Sequence, residues 1–196
     1  MTAAVLERWL EEVFATPGMT GLRDASTARR VLLDEALLAI PVLDANPGPV
    51  VDVGSGGGSP GIPLAAALPD RQVVLLEAER RKCDFLGRFA VELPNLQVVW
   101  GRAEEQPLDV FGVALAKALA KPPVAAELCL PLVRPGGVAV LWVGKTADRR
   151  AVASVAEQLG AVVEKGRTGL LVLRKTDRTP TGFPRRPGIP KKRPLA

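Results

Sequence analysis

Residues 49–64 read PVVDVGSGGGSPGIPL, and the junction inside that stretch decides the fold. Val50, Val51 and Val53 form a short apolar strand interrupted only by Asp52. A strand this uniformly apolar suits a sheet covered on both faces. Glycines follow at 54, 56, 57, 58 and 61, and Ile62–Leu68 then reads as a helix. Strand, glycine turn and helix open an α/β unit, whose ligands lie beyond the carboxyl ends of the strands. Glycine accepts positive φ and lets a ligand rest on bare backbone, so the turn is read as a ligand cradle.

The spacing narrows the ligand. In a G-x-G-x-x-G dinucleotide fingerprint counted from Gly54, the third glycine position falls on Ser59; counted from Gly56 the pattern fits but starts late after the strand. Asp52 at the strand end would repel a passing pyrophosphate. The lysine-serine or lysine-threonine pair of a triphosphate-binding loop is absent from this turn. An acid two positions before the first glycine suits instead a ligand carrying an ammonium group, as S-adenosylmethionine does. Glu77 closes the next strand, Val73–Glu77, roughly 20 residues past the glycines, where a carboxylate can accept from both ribose hydroxyls; nicotinamide enzymes use the same contact, so Glu77 alone does not discriminate. Gly101-Arg102-Ala103-Glu104 follows a third strand, where backbone amides and an acidic neighbour would hold an adenine.

Working outward, strands and helices alternate. Residues 3–15 have helical apolar spacing, Pro17-Gly18 ends that helix, and a second runs from a cap at Asp24 or Ser26 to Pro41. Strands are expected at 50–53, 72–76, 96–100, 110–116, 138–143, 161–163 and 170–173. Helices are expected at 62–68, 79–91, 124–133 and 147–159, with turns at Arg134–Gly137 and Gly166–Gly169. This predicts an α/β fold with a mainly parallel seven-stranded sheet and helices on both faces, Rossmann-like in plan. We divide the chain into an N-terminal helical segment (1–45), a cofactor-binding domain (46–176) and a basic, proline-rich C-terminal arm (177–196).

Composition excludes several chemistries. At 47% apolar and 24% charged the chain is an ordinary globule. It has no histidine and no tyrosine, which removes histidine triads, histidine general bases and the commonest metal ligand. Cys83 and Cys129 lie far apart without ligand spacing and read as buried free thiols in a reducing compartment. No metal is therefore expected. The acidic N-terminus lacks the basic region of a signal peptide, and no apolar run nears the length of a membrane span, so a cytoplasmic protein is expected. The net charge of +5 is uneven: Arg174–Ala196 carries eight basic residues against Asp177, leaving the remainder at −2. Between Arg178 and Ala196 there are six bases and no acid. Its five prolines and lack of periodicity read as an extended arm, kept out of the core and suited to a phosphate backbone.

These stretches resemble a known family. VVDVGSGGGSPGIPLA, LLEAERRKCDFL, GRAEE, FPRRPGIPKKRPL and, upstream, MTGLRDASTARRVLLDEALL are similar to the ribosomal RNA small subunit methyltransferase G family, also called glucose-inhibited division protein B. The resemblance runs from about Met19 to the C-terminus. It implies a class I methyltransferase fold that moves a methyl group from S-adenosylmethionine to N7 of a guanine in small-subunit (16S) ribosomal RNA, free or in a pre-30S particle. It also implies that Gly54 and Ser59 line the methionine side of the cofactor and that Ala103 and Glu104 flank the adenine; with Gly56, Glu77 and Lys117 these are the expected cofactor-binding residues. Lys117 would sit near cofactor and substrate and is the candidate catalytic residue. The family usually has arginine at 117, often histidine at 31 and aspartate at 112; here these are Lys117, Val31 and Gly112.

Guanine N7 has a free lone pair, so the expected transfer needs no general base and the missing histidine is no obstacle. Lys117 is expected to orient the base through O6 or a phosphate, while Lys121 and Lys145 lie at the same sheet end. Two other readings stay open: a small-molecule methyltransferase, against which the basic tail argues, and a cofactor-binding RNA-interaction protein with little turnover. A monomer is the default expectation.

Overall fold

The computed structural model describes residues 2–164 and 169–196. Seven strands, β1 (Val50–Val53), β2 (Val73–Glu77), β3 (Leu96–Trp100), β4 (Phe111–Ala116), β5 (Val133–Trp142), β6 (Ala161–Val163) and β7 (Leu170–Lys175), form one sheet in the order β3-β2-β1-β4-β5-β7-β6. The first five run parallel, while β7 pairs antiparallel with both β5 and β6. Strand order reverses between β1 and β4. Such a reversal splays the chain crossings to opposite faces and opens a crevice above both strand ends.

Side chains alternate across the sheet and feed two cores. Val50 packs with Leu64, Leu75 and Phe89 on one face; Val51 and Val53 pack with Ala114, Leu130 and Val155 on the other. Helix α1 (Thr2–Ala15) presents Val5, Trp9 and Val13 to the first core, as its spacing predicts. Helix α2 (Ala25–Arg29) is capped by Asp24, whose carboxylate accepts from the Thr27 amide at 2.7 Å.

Beyond α2 the single helix expected up to Pro41 is instead jointed: a π-helical turn (Arg30–Asp34), α3 (Glu35–Leu37) and α4 (Ile40–Asp44). Pro41 falls in the first turn of α4, where its missing amide hydrogen leaves no gap in the ladder. Among the described residues the body has four further α-helices: α5 (Gly61–Ala67), α6 (Arg80–Ala90), α7 (Pro122–Cys129) and α8 (Arg149–Gln158).

The turn expected at Arg134–Gly137 lies inside β5. Pairing with β4 slips between Phe111 and Val113, and Gly136 takes φ +83° to absorb the extra length. Part of the turn expected at Gly166–Gly169 lies outside the described residues. Gly112 also has a structural account, since a side chain there would strike the Pro47 carbonyl oxygen and come within 3.1 Å of Gly48 Cα.

The largest departure is the C-terminal segment, which folds back onto the body. Phe183 and Leu195 pack against the second core, Pro190 is buried, and a short helix α9 (Ile189–Lys192) forms. Arg185 explains why: its guanidinium donates to both carboxylate oxygens of Glu127 at 2.6 Å each, and Glu127 is 3% exposed in α7. A carboxylate buried that deeply requires such a partner. Among the described residues no helix is long and apolar enough to cross a membrane.

Candidate cofactor and substrate cleft

A cleft of about 440 Å³ opens where the strand order reverses, within the range of small-molecule sites. Its walls are the ends of β1, β2, β3 and β4, the π-helical turn and the C-terminal segment. Every candidate residue lines it: Gly54, Gly56, Ser59, Glu77, Ala103, Glu104 and Lys117.

The glycine turn divides into two kinds of position. Gly54 and Gly56 adopt φ +70° and +56° and border the cleft, where a Cβ on Gly54 would meet only the movable end of the Leu119 side chain. Gly57 also borders the cleft, but it, Gly58 and Gly61 are demanded by the protein itself. A Cβ on Gly57 would lie 2.6 Å from the Met19 carbonyl oxygen, one on Gly58 3.0 Å from Trp9 Nε1, and one on Gly61 2.9 Å from Asp52 Oδ2. Trp9, wholly buried in α1, also donates its indole N–H to the Gly57 carbonyl at 2.8 Å. The N-terminal helix thus clamps the turn from behind.

Asp52 does not do what its sequence position implied. Its side chain alternates away from the cleft and lies beneath the turn, 1% exposed, accepting from the Gly61 amide at 3.1 Å. Burial pushes its carboxyl up to about 7. The acid therefore anchors the start of α5, and a cofactor ammonium would have to find other partners.

Glu77 is placed as expected at the end of β2. One carboxylate oxygen accepts from the Gly56 amide at 2.9 Å and the other from the Glu79 amide at 2.8 Å. Each oxygen keeps a lone pair for a diol, so the side chain is pre-oriented before any ligand arrives. Across the cleft Ala103 is buried at the head of a 3₁₀ turn, and Glu104 faces the cleft half-buried.

Lys117 and Ser59 meet the π-helical turn. Lys117 Nζ donates to the Val31 carbonyl at 2.6 Å, and Ser59 Oγ to the Leu32 carbonyl at 2.7 Å. Such wide turns often mark functional positions because they redirect carbonyls out of the helix ladder. Two further N–H groups remain on the ammonium. Burial lowers the Lys117 pKa, against the opposing pull of Glu35 and Asp52. Positions 31 and 117, singled out separately in the sequence, are therefore in contact. Lys121 and Lys145 are exposed and do not line the cleft.

Sequence reasoning missed Thr20, Gly21, Leu32, Leu119, Gly188 and Lys191, all of which line the cleft. The last two had a readable signal. Pro187-Gly188-Ile189-Pro190 is a turn glycine at φ +80° followed by a proline in the first turn of a helix, which describes a folded corner better than a linker.

The strand order and the cleft above β1 and β4 define a class I methyltransferase fold, and solved structures of that class superpose on it. The 1,6-didemethyltoxoflavin-N1-methyltransferase of Burkholderia thailandensis, solved with S-adenosylhomocysteine, matches with a TM-score of 0.60 at 15% identity, covering 89% of each chain. A TehB-like SAM-dependent methyltransferase from Corynebacterium glutamicum matches at 0.58 and 16%, over 89% of this chain and 98% of that one.

The sequence is more specific. A family model described as rRNA small subunit methyltransferase G matches residues 6–166. The ribosomal RNA small subunit methyltransferase G of Rubrobacter xylanophilus is 39% identical over 89% of this chain and 76% of its own. That of Thermotoga neapolitana is 36% identical over 96% and 89%. The chain belongs to the rRNA small subunit methyltransferase G family.

Proposed function

We propose that this chain methylates N7 of a guanine in small-subunit ribosomal RNA, using S-adenosylmethionine, in the cytoplasm, as a monomer and without a metal. The observation that carries the reading is Glu77. It is buried, oriented by two backbone amides, one of them from the glycine turn itself, and lies beside Gly54 and Gly56, which hold positive φ at the cleft. That arrangement suits a ribose diol with the methionine portion lying along bare backbone at Gly54 and Gly56. Ala103 and Glu104 then border the adenine.

When bound, the sulfonium supplies the methyl group, which guanine N7 accepts with its own lone pair. The chain's task is accordingly positional: holding donor and acceptor in line is worth up to about 7–11 kcal/mol in favourable cases. Lys117 performs the orienting step, with one N–H spent on the Val31 carbonyl and the others available to guanine O6 or a phosphate. Exposed Arg186, Lys192 and Arg193 on the docked C-terminal segment supply cationic contacts beside the cleft.

The test is a methyl-transfer assay on small-subunit RNA, bare and protein-bound, read by strand cleavage specific for N7-methylguanine. Label incorporated without such cleavage would remove the N7 assignment. Calorimetry showing NADH but not S-adenosylhomocysteine in the cleft would remove the whole reading.

A further inference from the structure

Glu104 has two oxygens and one visible duty. Its Oε1 accepts from the Gly188 backbone amide at 2.9 Å, across 84 residues of chain. No side-chain hydrogen bond to Oε2 is seen among the described residues, and the residue faces the cleft. Gly188 presents its N–H from φ +80°, with open space where a Cβ would be, so the glycine is there for backbone direction rather than room. The corner carrying it is fixed on both sides, by the Arg185–Glu127 pair before it and buried Pro190 after it. A half-buried carboxylate on a short 3₁₀ turn would otherwise sample several rotamers; a charge-assisted bond to a fixed amide selects one.

We propose that the Gly188 amide is a positioning group for adenine recognition: it holds Glu104 so that the free oxygen accepts from the exocyclic amino group of the cofactor's adenine. The C-terminal corner is thereby a wall of the cofactor site and sets its base selectivity. This rests on the cofactor reading above and adds to it a role for a segment outside the family-model match.

The experiment compares S-adenosylhomocysteine with S-inosylhomocysteine, which replaces the donor amino group by an acceptor oxygen, by calorimetry without RNA. The full chain is expected to favour the adenine compound by about tenfold or more, as befits a hydrogen bond to a charged group. A chain ending at Arg186 keeps the Arg185–Glu127 pair but loses Gly188, and its preference is expected to fall to within about threefold of unity. Pro190→Asp in the full chain undocks the same corner and is expected to give the same loss, which covers failure of the shortened chain to fold. Arg178→Ala, exposed on the same segment and outside the cleft, should retain the preference. If the shortened or Pro190→Asp chain keeps the ratio intact, whatever its affinity for the two compounds, or if Arg178→Ala alone abolishes the ratio, the proposal is overturned. If neither compound binds the full chain, the cofactor reading itself has failed.

Discussion

The turn at 54–61 and the segment at 178–196 are both rich in glycine and proline, both lack periodicity, and both border the same cleft, yet they are held in different ways. The turn is held by backbone and by exclusion. The Gly58 amide donates to the Ser55 carbonyl at 2.7 Å, Trp9 bonds the Gly57 carbonyl, and three glycines leave no volume for a Cβ. The C-terminal segment is held by side-chain pairs distant in sequence, Arg185 on Glu127 and Thr179 on Asp109, with Lys175 donating locally to Thr179. Backbone packing makes a rigid floor with no room for a side chain at Gly57, Gly58 or Gly61. Side-chain tethers make a wall whose attachment depends on a few charges.

The comparison can be broken most directly at Arg185. Replacing it with alanine strands the buried Glu127 carboxylate, and we expect a loss of about 3–5 kcal/mol, read as a large fall in unfolding midpoint. Arg186→Ala, one residue on and exposed, should change stability by less than about 0.5 kcal/mol while reducing the salt dependence of RNA binding. Equal stability losses at 185 and 186 would show that the segment is not tethered as described. For the turn, Gly61→Ala drives a Cβ against Leu75 and Asp52, and overpacking of this kind costs about 1–3 kcal/mol. Gly56→Ala meets only the Gly54 carbonyl oxygen, at 3.9 Å, and should cost stability only through its φ of +56°, about 1 kcal/mol, while weakening cofactor binding. Denaturant midpoints and cofactor titrations on the two variants sort the glycines that serve packing from those that serve the ligand.

These positions also show what was legible. The strands were readable because each buried one is an apolar run bounded by a turn, and Leu96–Trp100 and Ala161–Val163 fall on the expected residues. Glu77 could be placed in the cleft because position at a strand end fixes direction in a parallel sheet, whereas Ser59 and Lys117 were placed there by the family resemblance; all three line it. Asp52 shows the limit. Its proximity to the turn was correct, but alternation on β1 puts its side chain on the far face, so the cofactor was inferred through a contact the fold does not make. The docked tail was opaque for another reason. A charged residue reads as solvated unless its partner is known, and Glu127 lies 58 residues away within a helix.

The finest distinction concerns the two buried charges that serve these regions, Asp52 under the turn and Lys175 at the root of the C-terminal segment. Burial raises the Asp52 carboxyl from 3.8 to about 7, so between those values the folded state holds a proton that the unfolded state has lost. Stability on this account falls as pH rises through that window. Lys175 is wholly buried, with its ammonium on the Leu130 carbonyl and Thr179 Oγ1, and burial lowers its pKa from 10.5 to about 8. Here the unfolded state binds the extra proton between about pH 8 and 10.5, so stability gains as pH rises. Each slope is at most about 1.4 kcal/mol per pH unit. Asp52→Asn should flatten the acidic limb of a stability–pH curve and leave the alkaline limb alone; Lys175→Met should do the reverse. Both variants altering the same limb would mean that the two charges are one coupled system, and that turn and tail are not separately held.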